Sequence, residues 1–173
     1  VTIDGDPGLS GTRSLTITNN DTSTGGTVIW VASGAAGAQN NTIRNVVVAG
    51  SGSAATFIGI GFGGAAIASL GADNDNNRVE NCDVRKVQYG IISQGASVAN
   101  KDLGVVITKN ALNNTGTNSI GRGGIVASFA DGLQVTDNSI GGIVFTGTGD
   151  VLGISLGGLI GWTNTTTPAS FVG

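Results

Sequence analysis

Hydrophobic positions in this chain fall in runs of only three to six residues, alternating with polar ones. That is the period-two signature of a half-buried strand. No window carries the 3.6-residue periodicity of a useful amphipathic helix. Four segments share the order hydrophobic, Asn, hydrophobic: Thr42-Ile43-Arg44-Asn45-Val46-Val47-Val48, Arg78-Val79-Glu80-Asn81-Cys82-Asp83-Val84, Val106-Ile107-Thr108-Lys109-Asn110-Ala111-Leu112 and Gln134-Val135-Thr136-Asp137-Asn138-Ser139-Ile140. Leu15-Thr16-Ile17-Thr18-Asn19 reads as an earlier copy, and the leading residues Ile17, Ile43, Val79, Ile107 and Val135 lie 26, 36, 28 and 28 apart. A second element interleaves with the first: Gly59-Ile60, Gly90-Ile91, Gly124-Ile125 and Gly153-Ile154, at intervals of 31, 34 and 29. Gly26-Thr27-Val28-Ile29-Trp30 fills the same slot one turn earlier.

Two elements sharing a period near 30 define a solenoid. Short strands and polar turns at that period predict an all-β fold, a right-handed parallel β-helix of about five to six coils with no substantial helix. A left-handed hexapeptide helix would need a strict six-residue hydrophobic period, which is absent. The body should be about 25 Å long at ~4.8 Å per coil. The 36-residue interval places an insertion loop at 61–76. Residues 1–162 are expected to form one β-helix domain, and 163–173 a Thr-rich C-terminal extension or the start of a linker.

The recurrent Asn-Asn-Thr-Ile-Arg-Asn, Asn-Asn-Arg-Val-Glu-Asn and Gly-Ile motifs resemble the right-handed β-helix repeats of the pectate-lyase-like superfamily. Thr12-Arg13-Ser14-Leu15-Thr16-Ile17, Gly26-Thr27-Val28-Ile29-Trp30 and Gly71-Ala72-Asp73-Asn74-Asp75-Asn76-Asn77 resemble modules of large secreted proteins from Bacteroidetes-type bacteria. The resemblance implies the fold over most of the chain and an extracellular setting. It implies little about activity, since the superfamily spans lyases, hydrolases, adhesins and inert spacers.

Composition narrows the chemistry. Glycine supplies 31 of 173 residues and charged residues only 11%. There is no His, which excludes a Ser-His-Asp triad and His-ligated zinc or haem. A net charge of −3 argues against a nucleic-acid partner. The one Cys, Cys82, cannot form an intrachain disulfide and reads as a buried hydrophobe. Residues 51–72 lack charge but are crowded with Gly, Ser and Ala, so no membrane span is expected. The chain contains no Met, so Val1 reads as a processed N-terminus or the start of an excerpt.

Asn45, Asn81, Asn110 and Asn138 occur once per coil and are expected to stack as an asparagine ladder, amide to amide across successive coils. Alignment on the leading hydrophobic residue pairs Arg44 with Glu80 and Lys109 with Asp137, opposite charges on neighbouring rungs. Arg78, Glu80, Asp83, Arg85 and Lys86 form the one charge-rich coil that could resemble a polysaccharide lyase site. Asp73, Asp75 and Asn77 imitate the first half of a calcium loop, although Arg78 and Val84 stand where such a loop has Gly and Glu. Tyr89 and Trp162 are the aromatic residues to consider for stacking on a carbohydrate.

These features favour a non-catalytic structural or adhesive module of a secreted, cell-surface or filament-forming protein. A carbohydrate-binding module, or a fragment of a polysaccharide lyase or hydrolase, is the alternative. The apolar stretches at 1–3 and 153–162 lack polar caps, so further coils of the same polypeptide or identical subunits stacked head to tail are the expected partners. No cofactor is required; calcium at 73–77 is the one metal to consider.

Overall fold

A computed structural model describes residues 1–147, 149–158 and the short strand at 171–172. The chain is a parallel β-solenoid of about five turns. The first coil carries β1 (Thr2–Asp4), β2 (Leu15–Thr18) and β3 (Thr27–Ala32). The second carries β4 (Thr42–Arg44), β5 (Val46–Ala49) and β6 (Ile58–Gly63). The third carries β7 (Arg78–Glu80), β8 (Asp83–Arg85) and β9 (Tyr89–Gln94). The fourth adds a corner strand, running β10 (Asp102–Leu103), β11 (Val106–Thr108), β12 (Ala111–Leu112) and β13 (Gly123–Ser128). The fifth repeats it as β14 (Ala130–Asp131), β15 (Gln134–Thr136), β16 (Ser139–Ile140) and β17 (Leu152–Leu156). Last comes β18 (Phe171–Val172), which pairs with β14. One 3-10 turn at Gly116–Asn118 is the only helix among the described residues.

Three five-stranded parallel sheets result: β1-β4-β7-β11-β15, β2-β5-β8-β12-β16 and β3-β6-β9-β13-β17. Their register stacks like residues. In the first sheet Ile3, Ile43, Val79, Ile107 and Val135 share one row. In the third, Ile29, Ile60, Ile91, Ile125 and Ile154 share another. Ile43, Ile60, Val79, Ile91, Ile107 and Ile125 are essentially inaccessible. Each such side chain contributes about 1.5–3 kcal/mol. Gly26-Thr27-Val28-Ile29-Trp30 does occupy the Gly-Ile slot one coil earlier. Leu15-Thr16-Ile17-Thr18-Asn19 does not join the Asn-bearing row: Ile17 pairs with Val48 in the second sheet, and Ile3 is the first member of that row. A ten-residue strap, 5–14, separates β1 from β2, where the other coils turn in one or two residues, and this offset misleads alignment by sequence.

The outer face of the third sheet is also covered. Ile58, Tyr89, Ile92 and Val126 form a second buried cluster, with Trp30, Phe57, Ala68 and Leu152 packed against it. Ala68 comes from the 64–77 loop between β6 and β7. No helix among the described residues is long and apolar enough to cross a membrane.

Candidate functional site

The first and second sheets meet at a sharp corner, and the second and third coils turn it on Asn45 and Asn81 at positive φ, 57° and 50°. Asn tolerates this left-handed conformation better than other side-chain-bearing residues. In the fourth and fifth coils the same turn position holds Lys109 and Asp137, at 57° and 55°. Asn110 and Asn138 therefore lie one residue further on, in the inward slot that Val46 and Cys82 fill in earlier coils.

The four asparagines accordingly do not make one row. Asn81 Nδ2 donates to Asn45 Oδ1 at 2.8 Å, and Asn45 Nδ2 donates to Asp4 Oδ1 at 2.8 Å, on the outside of the corner. Asn110 is buried, its Oδ1 accepting from Cys82 N at 2.9 Å and its Nδ2 donating to Asn138 Oδ1 at 2.9 Å. Asn110 Nδ2 also reaches Val79 O at 3.1 Å, and Asn138 Nδ2 donates to Ile107 O at 2.8 Å. One pair closes the corner from outside; the other satisfies backbone groups within the core.

Arg44 and Glu80 do occupy neighbouring rungs, but they do not pair with each other. Arg44 turns to Asp4 at 2.8 Å. Glu80 accepts from Arg78 at 2.9 Å and meets Lys109 at 3.4 Å. Lys109 thus bonds back toward the third coil, and the expected Lys109–Asp137 pair does not form among the described residues. Side chains of this length choose the partner that their rotamers can reach, and strand alignment alone does not decide it. Of the charge-rich coil, Arg78 with Glu80 and Asp83 with Arg85 at 3.7 Å pair within their own strands.

The strap supplies what the sequence reading missed. Asp6 is 4% exposed and accepts from Ser10 Oγ at 3.1 Å, from Thr12 N at 3.1 Å and from Gly11 N. Burial opposes its charge, yet the donors of Gly11, Ser10 and Thr12 together hold its carboxyl below the usual range. Arg13 then spans to the third coil, donating from Nε to Asn81 O and from an Nη to Asn81 Oδ1, both at 2.9 Å. Asn81 Nδ2 returns a bond to Gly11 O at 2.9 Å. The residues Asp4-Gly5-Asp6-Pro7-Gly8 signal a turn, but no local pattern reveals a contact 68 residues away.

Between strap and sheet lies an open groove of about 310 Å³, lined by Asp6, Leu9, Gly11, Arg44, Asn45, Glu80, Asn81 and Lys109. Its two carboxylates are both occupied, Asp6 by the strap and Glu80 by Arg78 and Lys109, and the Arg78 hydrogen bond is the main reason the Glu80 carboxyl is held low. Its amides are engaged with each other and with Arg13.

The other expected sites separate. Tyr89 is 2% exposed and meets Phe57 edge to face, ring centroids 5.4 Å apart, so it is a core residue and offers no stacking surface. Trp162 lies outside the described residues. Of the calcium candidates Asp73, Asp75 and Asn77, two spend a side-chain oxygen on backbone N–H groups. Asn77 is buried and its Oδ1 accepts from Asn41 N at 2.9 Å and Asn41 Nδ2 at 3.1 Å. Asp75 Oδ1 accepts from Leu103 N at 2.8 Å. No group of three or more metal-ligating His, Cys, Asp or Glu gathers among the described residues. Cys82 is fully buried, and that burial pushes its thiol up to about 11.

Comparison of the chain with protein-family models, with curated proteins and with solved structures gives no match.

Proposed function

We propose that this chain is a non-catalytic structural or adhesive module of a secreted or cell-surface bacterial protein. The observation that carries this reading is the Arg13–Asn81–Asn45–Asp4 network. It ties the first three coils together with the polar side chains that an enzyme or a lectin would leave open to its ligand. A rigid solenoid built this way suits a spacer or stalk. The half-exposed Ile154 continues the core row of isoleucines, which favours extension by further coils or by an identical subunit stacked head to tail. A pectate-lyase-like β-helix of a Bacteroidetes-type bacterium is the origin most in keeping with the repeat motifs.

The test pairs two measurements on the chain and on Glu80→Gln: depolymerisation of a panel of acidic and neutral polysaccharides, and binding on a glycan array. The expected result is no turnover by either protein, with any glycan retention unaffected by the substitution. Turnover that Glu80→Gln abolishes overturns the reading in favour of a polysaccharide-cleaving fragment.

A further inference from the structure

Asp102 is the least expected residue in the molecule. It opens β10 at the corner between the third and first sheets, with no accessible surface. The matching residue in the next coil is Ala130. Its Oδ1 accepts from Asn74 N at 3.0 Å, and its Oδ2 lies 3.4 Å from Ser93 Oγ. Among the described residues no ion pair reaches it. Beside it, Asn74 Oδ1 is buried and has no hydrogen-bond partner. A fully buried carboxyl with no ion pair, one ordinary and one long hydrogen bond, and a partner residue whose own acceptor lacks a donor is the environment of a neutral acid, whose O–H can serve such an acceptor.

The contact also joins two coils. Asn74 N donates to Asp102, and Leu103 N donates to Asp75 Oδ1 at 2.8 Å, so the base of the 64–77 loop and β10 hold each other reciprocally. Asn76 N to Leu103 O at 2.7 Å and Gly71 N to Gln94 O at 3.1 Å complete the attachment. The upper part of that loop places Ala68 on the buried outer cluster, and Gly64 O accepts from Trp30 Nε1 at 3.0 Å.

We propose that Asp102 is a proton-operated latch: neutral, it docks the 64–77 loop over the apolar outer face of the third sheet, and ionised, it releases the loop and uncovers that face. The charges around it reinforce this direction. The loop brings Asp73 and Asp75, both raising the cost of a third negative charge nearby. Strand β14 places Asp131 beside Leu103, β9 offers only the Ser93 hydroxyl, and Lys101 precedes Asp102 without forming an ion pair among the described residues. Burial first, then these carboxylates, push Asp102 up to about 7, against the hydrogen bonds from Asn74 and Ser93. The carboxyls of Asp4, Asp6 and Glu80 are held low and the Cys82 thiol sits at about 11, so none of these titrates in the same window.

Hydrogen exchange of the whole chain, corrected for the intrinsic pH dependence of exchange, tests this between about pH 5.5 and pH 8.5, either side of the latch. Protection at Asn74 and Leu103 should fall by about tenfold or more as pH rises, the size of a one-unit pKa effect. Asp102→Asn supplies a permanent donor to Asn74 Oδ1 and should stay protected at both ends. Asp102→Ala copies the next coil and should show low, pH-independent protection, which serves as the readout if the Asn variant does not fold. A wild-type profile in either variant overturns the proposal. So does a loss of protection that millimolar calcium reverses, since the 73–75 carboxylates would then be acting as ligands.

Discussion

At the scale of single residues, the glycines that precede Ile60, Ile91 and Ile125 are fixed by lack of room. A Cβ on Gly59 would lie 2.7 Å from Gly90 O, one on Gly90 2.6 Å from Gly124 O, and one on Gly124 2.6 Å from Gly153 O. Each glycine thus lets its strand approach the coil below, and backbone atoms cannot step aside. Gly90→Ala should cost about 1–3 kcal/mol through overpacking. That is a fall of about 2–4 °C per kcal/mol in thermal unfolding for a chain of this size. Gly25→Ala, with nothing within 4 Å, should stay within about 0.5 kcal/mol of wild type. Asp102 gives the second residue-scale expectation. Burial holds its folded pKa at about 7, well above the ordinary aspartate value of about 4, so the folded state binds more protons between those values. Its contribution is fully present below the lower value and is lost as pH rises through about 7, a change of order 4 kcal/mol. Denaturant titrations of wild type and Asp102→Asn should therefore converge in acid and separate at pH 8, with the variant more stable.

Among elements, the strap and the two asparagine pairs have different roles, and substitution should distinguish them. Arg13→Ala removes two charge-assisted bonds to the third coil and leaves half-buried acceptors on Asn81, so it should cost about 1–2 kcal/mol. Combining it with Asn81→Ala should cost less than the sum, because both belong to one network. Asn110→Val is the informative contrast. Valine fits the slot that Val46 occupies, yet the change strands Cys82 N inside the core, an expected loss of about 1–3 kcal/mol. Chemical denaturation of Arg13→Ala, Asn81→Ala, their double variant and Asn110→Val measures all of this in one series.

For the whole molecule, each coil contacts chiefly its neighbours, so stability is close to a sum of coil and interface contributions. The third coil is flanked on both sides and its β9 is buried along its entire length, whereas β2 and β17 are mostly open. Hydrogen exchange should therefore be slowest in β7, β8 and β9 and should rise toward the first and fifth coils. Uniform protection along the solenoid would mean that the coils unfold as one cooperative unit. The proposed structural or adhesive role would gain from this arrangement, since force or proteolysis then acts on an outer coil before the centre.

The amino-acid sequence by itself determined the architecture: a period near 30, alternating strands and the Gly-Ile motif suffice because solenoid packing is local, coil upon coil. The same locality made the isoleucine row legible from Val28-Ile29 to Gly153-Ile154. Tertiary structure decided which polar atoms meet. Asn45 and Asn110 look alike in sequence, but a left-handed turn residue one place earlier, Lys109, moves Asn110 from the outer corner into the core. Ion-pair partners were set by side-chain reach, which took Arg44 to Asp4 and Lys109 to Glu80. Burial of Tyr89 and Asp102 depends on what covers a strand from outside it: Phe57 from the preceding connection for one, Asn74 of the 64–77 loop for the other. Periodicity reports the spacing of strands along one chain direction, while these contacts lie across it.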